Sequence, residues 1–167
     1  MTTPARWATN PRLAMPRASE LLYPQREPVA PRPAATVLLL RDGPQGLEVL
    51  MTRRSLSASF TPGAYVFPGG AIDAEDSQAG DTAPRRPGQT DAVLTESVAA
   101  LRESFEEVGL LLARQADGQP VSAEQAAQLD RKAALLPQLR AKGWQLDTDQ
   151  VYTLARWVTD RDMPKRF

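Results

Sequence analysis

Arg102-Glu103-Ser104-Phe105-Glu106-Glu107-Val108-Gly109-Leu110 is the stretch that decides how this 167-residue chain is organised. At about 100° per residue, Leu94, Val98, Leu101, Phe105 and Val108 share one stripe of a helical wheel. Spacings of four and three mark a helix with one buried face. Glu103, Glu106 and Glu107 fall on the opposite side, as neighbours three and four residues apart. Like charges at that spacing destabilise a helix by about 0.2–0.5 kcal/mol per pair. A divalent cation would offset the cost, because hard cations take carboxylate, phosphate and water oxygens. Gly109 suits the residue after the helix end, where a left-handed backbone is cheap for glycine. Thr90 or Asp91 can cap the start, so the pattern predicts a helix over residues 91–108.

Composition narrows the chemistry. The chain has no cysteine and no histidine. That excludes disulfides, thiolate sites, a Ser-His-Asp triad and a histidine-ligated zinc centre. Acid–base work falls to carboxylates, Lys, Tyr or metal-bound water. Twenty basic and twenty acidic residues cancel, so no overall charge points to nucleic acid. No apolar run is long enough to span a membrane, and the first residues lack a secretion-signal core. A soluble cytoplasmic protein of one domain is the expectation.

Upstream, Phe67-Pro68-Gly69-Gly70 adds a diglycine that allows positive φ and close approach. Together the two stretches resemble the signature of the Nudix hydrolases, G-x5-E-x7-R-E-U-x-E-E-x-G-U, with U a bulky aliphatic residue. Arg102, Glu103, Glu106, Glu107, Gly109 and Leu110 match its second half, and Ser104 departs at the first U position. Gly70 matches its first half, and six residues on stands Asp76 rather than Glu. Arg102 then follows twenty-six residues after Asp76 instead of eight, so the motif is split by roughly eighteen residues, with Asp76 standing where the family has its first Glu.

A second similarity lies just before the box. Some relatives that cleave coenzyme A carry L-L-T-x-R-S-x3-R-x3-G-x3-F-P-G-G. Here Leu50, Thr52, Arg54, Ser55, Gly63 and Phe67-Pro68-Gly69-Gly70 fall at that spacing, with Met51 for a Leu and Ser59 for the second Arg. Loss of that guanidinium removes one group that could grip phosphate.

The resemblance implies an α/β/α sandwich with a mixed β-sheet, over residues 33–167, following a proline-rich, partly disordered arm over 1–32. Relatives with this split motif continue further, so a C-terminally incomplete domain is expected. It implies hydrolysis of a pyrophosphate in a nucleoside diphosphate linked to another moiety, X. Coenzyme A or acyl-coenzyme A is the first choice, giving 3′,5′-ADP and a 4′-phosphopantetheine. ADP-ribose, dinucleotides or nucleoside triphosphates are the first alternative, and an inactive or truncated binding module is the second. Implied metal ligands for Mg²⁺ or Mn²⁺ are Glu106, Glu107, Glu103 and the Gly69 carbonyl. Glu103 and Arg102 are the implied catalytic pair, with Arg102 holding a glutamate. Arg54, Ser55 and Gly70 are assigned to the substrate. The partner is a small nucleotide-containing molecule, with no nucleic acid and no membrane, and a homodimer is left open.

The remaining elements follow from pattern. Residues 34–41 and 47–53 read as strands of a hairpin around the turn at 42–46, and 63–67 as a short strand ending in a glycine turn. Residues 71–89 read as a long exposed loop. Residues 110–113 read as a strand. Ser122 with Gln125 forms a capping box for a helix carrying Ala126, Leu129, Ala133 and Leu136, with a further turn from Pro137 to Gly143. Residues 144–150 read as a polar linker, and 151–159 (VYTLARWVT), rich in β-formers, as a strand. A short helix near 18–22 and scattered arginines at 6, 12, 17, 26 and 32 mark the arm.

Overall fold

The computed structural model describes residues 27–58 and 61–167. The helix expected near residues 18–22, most of the arginine-bearing arm and Ser59 lie outside them. Residues 32–157 with Phe167 form the main compact unit, and residues 27–31 group with 158–166. In the smaller group the Arg166 guanidinium donates to the Thr159 and Val29 carbonyls.

The chain folds as α/β. Helix α1, Asp91–Val108, is the longest described element and has the predicted bounds. The Thr90 hydroxyl accepts from the Val93 N–H at its start, and Gly109, at φ 74°, ends it. Val98, Leu101 and Phe105 are fully buried in an apolar cluster with Leu135, Leu139 and Leu146. Burying each large side chain stabilises by about 1.5–3 kcal/mol. Ser104 is also buried, and its hydroxyl donates to the Leu110 carbonyl, which answers the polar atom at an otherwise aliphatic position.

The strands are short. Among the described residues they pair antiparallel in twos, as several small sheets. Strand β2, Leu40–Gly43, and β3, Gly46–Val49, make the expected hairpin. The front of the predicted 34–41 strand separates as β1, Ala34–Thr36, and pairs with β6, Gly69–Ala71. The diglycine therefore lies within a ladder, not in a turn. Strand β4, Thr52–Arg53, pairs with β5, Tyr65–Val66. Strand β7, Ala113–Arg114, pairs with β8, Gln145–Leu146, so part of the expected polar linker is a strand.

Three further expectations are corrected. Residues 71–89 are anchored rather than loose. Ala74–Gln78 and Gly80–Thr82 form 3-10 turns, and Asp76, Ala79, Thr82 and Ala83 are buried. The Thr148 hydroxyl donates to the Pro84 carbonyl at 2.6 Å and the Gln145 amide to that of Asp81 at 2.8 Å. The helix opened by the Ser122–Gln125 capping box stops after four residues, as α2, Ala123–Ala126. The chain restarts as α3, Leu135–Lys142, with Pro137 in its first turn, where no intrahelical donor is needed. Gln138 bridges the break: its carbonyl accepts from the Asp130 N–H, and its amide donates to the carbonyls of Asp130 and Ala134. Residues 151–159 form no strand. Arg86 donates to the Val151 carbonyl and stacks over the Tyr152 ring, and Arg156 pairs with Glu96 of α1. Those contacts fix the path: Val151 packs against the core, while Tyr152, Leu154, Trp157 and Val158 stay exposed.

Candidate active site

The polar side of α1 packs on β6, β1 and the 3-10 turn at Ala74–Gln78. Arg102 sits at the centre and is nearly buried. Its Nε and Nη2 donate to the two carboxylate oxygens of Asp76 at 2.9 and 3.0 Å, a bidentate pair. Nη1 donates to Glu103 at 2.9 Å and to Glu106 at 3.0 Å. Nη2 also donates to the Ala71 carbonyl, and Asp73 stands 3.7 Å away. The bidentate partner is thus Asp76, while the glutamates are held by single bonds.

Asp76 is 1% exposed. Besides Arg102 it accepts from the Asp73 N–H at 2.8 Å, closing a capping box on its own 3-10 turn. Two hydrogen-bonded charges can be buried together where one alone could not. The two halves of the split motif meet through this pair, and the intervening residues fold away from it. The signal was present in sequence, since Asp76 stands six residues after Gly70.

The glutamates face the diglycine. Glu107 Oε2 accepts from the Gly69 N–H at 3.1 Å. A Cβ on Gly70 would lie 2.5 Å from Glu103 Oε1, so only glycine leaves that carboxylate its place. A Cβ on Gly69 would strike the Ala35 carbonyl and lie 2.7 Å from the Thr36 Cα, so the ladder itself demands glycine.

Burial raises the Glu103 pKa; Arg102 opposes that shift, and Glu106 and Glu107 add to it. Burial acting alone would lower the pKa of Arg102, but its bonds and charge contacts with Asp76 and Glu103 outweigh this and raise it. One guanidinium is therefore surrounded by more negative charge than it can neutralise.

That surplus, made only of oxygen donors, fits a hard divalent cation. Glu103, Glu106 and Glu107 are the residues that could hold one. Among the described residues, no three acidic side chains already form a ready cation cage. Glu103 and Glu106 are instead turned onto Arg102.

Arg54 and Ser55 follow β4. The Arg54 N–H donates to the Ala64 carbonyl, continuing the β4–β5 pairing, and the Ser55 hydroxyl is bonded to Ser57. Arg131 has no forewarning in sequence. Its guanidinium donates to the Phe105 and Glu106 carbonyls, capping the negative end of α1. No described helix is long and apolar enough to cross a membrane.

Residues 30–159 match the NUDIX domain family model. The fold resembles the crystal structure of a NUDIX hydrolase from Alicyclobacillus acidocaldarius. That likeness has a TM-score of 0.71 and 35% identity, covering 83% of this chain and 67% of that one. A putative nudix hydrolase 7 of Caenorhabditis elegans is 31% identical over 123 residues, which is 71% of this chain and 36% of the relative. The acyl-coenzyme A diphosphatase NUDT19 of Gallus gallus is 32% identical over 100 residues, 42% of this chain and 26% of the relative. The chain belongs to the Nudix family. It spans about a third or less of the length of those two curated relatives.

Proposed function

We propose that this chain is a metal-dependent pyrophosphohydrolase acting on coenzyme A or its thioesters. Water adds to one phosphorus, the bridging P–O bond breaks, and the products are 3′,5′-ADP and an (acyl-)4′-phosphopantetheine. The observation that carries the reading is the carboxylate group on α1, gathered by Arg102 and set against Gly69 and Gly70. Family membership supports the reaction class. The likeness to an acyl-coenzyme A diphosphatase and the Leu50–Gly70 pattern support the substrate.

Glu106, Glu107 and Glu103 are assigned to hold Mg²⁺ or Mn²⁺, with the Gly69 carbonyl as a further ligand. The bound cation would supply charge neutralisation at the phosphoryl oxygens and a more acidic water. Arg102 keeps Glu103 and Glu106 from splaying apart and fixes their orientation. Glu103 is assigned to orient the attacking water through a carboxylate oxygen. Gly70 leaves room for Glu103, and with Arg54 and Ser55 it is assigned to the substrate phosphates.

The test is a hydrolysis panel of coenzyme A, ADP-ribose, NADH and nucleoside triphosphates with Mg²⁺ or Mn²⁺. Coenzyme A should be the best substrate, and Glu107→Gln should lower turnover by more than about 100-fold. Full activity in Glu107→Gln would refute the site assignment, and a clear preference for ADP-ribose would refute the substrate.

A further inference from the structure

A cavity of about 370 Å³ opens directly beside Arg102 and Glu106. Its apolar wall is Ala134, Leu135 and Leu136, at the start of α3. Its other side is Asp73, Ala74 and Glu75, which lie between Gly70 and Asp76 in the first half of the motif. A smaller cavity of about 170 Å³ shares Glu75 and Leu136 with it and runs outward to Pro137 and Arg140. The two make one groove leading away from the carboxylates. Arg140 ties its sides together by donating to the Gln78 carbonyl at 2.6 Å.

We infer that this groove binds the phosphopantetheine arm of the substrate, the side of the pyrophosphate remote from adenosine; this rests on the function proposed above. Continuity is the first reason. A phosphorus placed at Glu106 puts the group attached to it at the mouth of this groove. Chemistry is the second. None of the lining residues is aromatic, whereas bases gain most of their binding by stacking on aromatic rings. Asp73, Glu75 and Glu106 would repel the 3′-phosphate of the nucleotide half. An aliphatic chain bearing neutral amides meets neither obstacle, since its methylenes can lie along the exposed Ala74 and Ala134 and its N–H groups can face Glu75. The combined volume is within the range of ordinary small-molecule sites.

Ala74 and Ala134 are exposed residues of the groove and lie outside the carboxylate group. Ala74→Trp and Ala134→Trp should each obstruct it without disturbing the core, which a melting curve can verify. Calorimetric binding of 4′-phosphopantetheine and of 3′,5′-ADP is measured in Mg²⁺ buffer, where neither product turns over. Each variant should bind 4′-phosphopantetheine at least about tenfold more weakly and 3′,5′-ADP as the wild type does. Unchanged 4′-phosphopantetheine affinity in both folded variants, or none in the wild type, would overturn the inference. Coenzyme A hydrolysis by the wild type is scored separately, so the groove can fail while the hydrolase reading stands, and the reverse.

Discussion

The neighbourhood of Arg102 and the run at residues 151–158 make opposite use of their sequences. The first gathers charges that local rules say should repel around a buried Arg102–Asp76 pair. The second is built from good strand formers, and it is neither a strand nor, beyond Val151, buried: Tyr152 is 70%, Leu154 81% and Trp157 64% exposed. The difference lies in partners distant along the chain. Asp76 reaches Arg102 across twenty-six positions, and Gly69 reaches Glu107 across thirty-eight. Residues 151–158 meet Arg86 and Glu96 through a carbonyl, a ring face and one guanidinium, with no neighbouring strand among the described residues to complete a ladder. β-propensity records how a side chain fits a sheet already present.

The contrast can be broken most forcefully at its centre. Arg102→Ala strands the buried Asp76 carboxylate and should cost about 3–5 kcal/mol in urea unfolding. The double variant Arg102→Met with Asp76→Leu should recover most of that loss, because no unpaired charge remains. Recovery of stability without activity would show that the pair is kept for orienting Glu103 and Glu106. A smaller effect is expected at Gly69. Its alanine variant forces β1 and β6 apart and should cost about 1–3 kcal/mol, read as a lower unfolding midpoint at unchanged slope. The smallest effect belongs to the exposed run. Leu154→Ser should change stability by less than about 0.5 kcal/mol; a larger loss would mean that this segment is covered in solution.

Much of α1 was legible beforehand, and for physical reasons. Its cap, its apolar stripe and its terminal glycine are all local signals, and Thr90, Phe105 and Gly109 do what their positions imply. The hairpin at Gly43–Gly46 and the Ser122–Gln125 box were equally local. What pattern could not reach was any feature fixed by distant contacts. The diglycine is paired to Ala35 and Thr36, so it is a strand and not a turn. The 71–89 segment is polar, yet Asp76, Asp81 and Pro84 find partners on α1 and in or near β8, so it is anchored. Leu129 and Leu136 continue a helical period, yet both pack in the core from opposite sides of a break. Arg131 leaves no mark in sequence, because its partners are backbone carbonyls.

Within the site, the glycines and glutamates were readable because each is constrained by steric or charge chemistry at a fixed spacing. The role of Asp76 was hidden by the interruption after it, although its distance from Gly70 is the motif's own.

On the proposed function, Glu103, Glu106 and Glu107 together hold a divalent cation. Mn²⁺ titration followed by electron paramagnetic resonance tests it without requiring any substrate. The wild type should bind Mn²⁺, and a folded Glu106→Gln, Glu107→Gln double variant should lose that binding by more than about 100-fold. Equal Mn²⁺ affinity in the two proteins would contradict it.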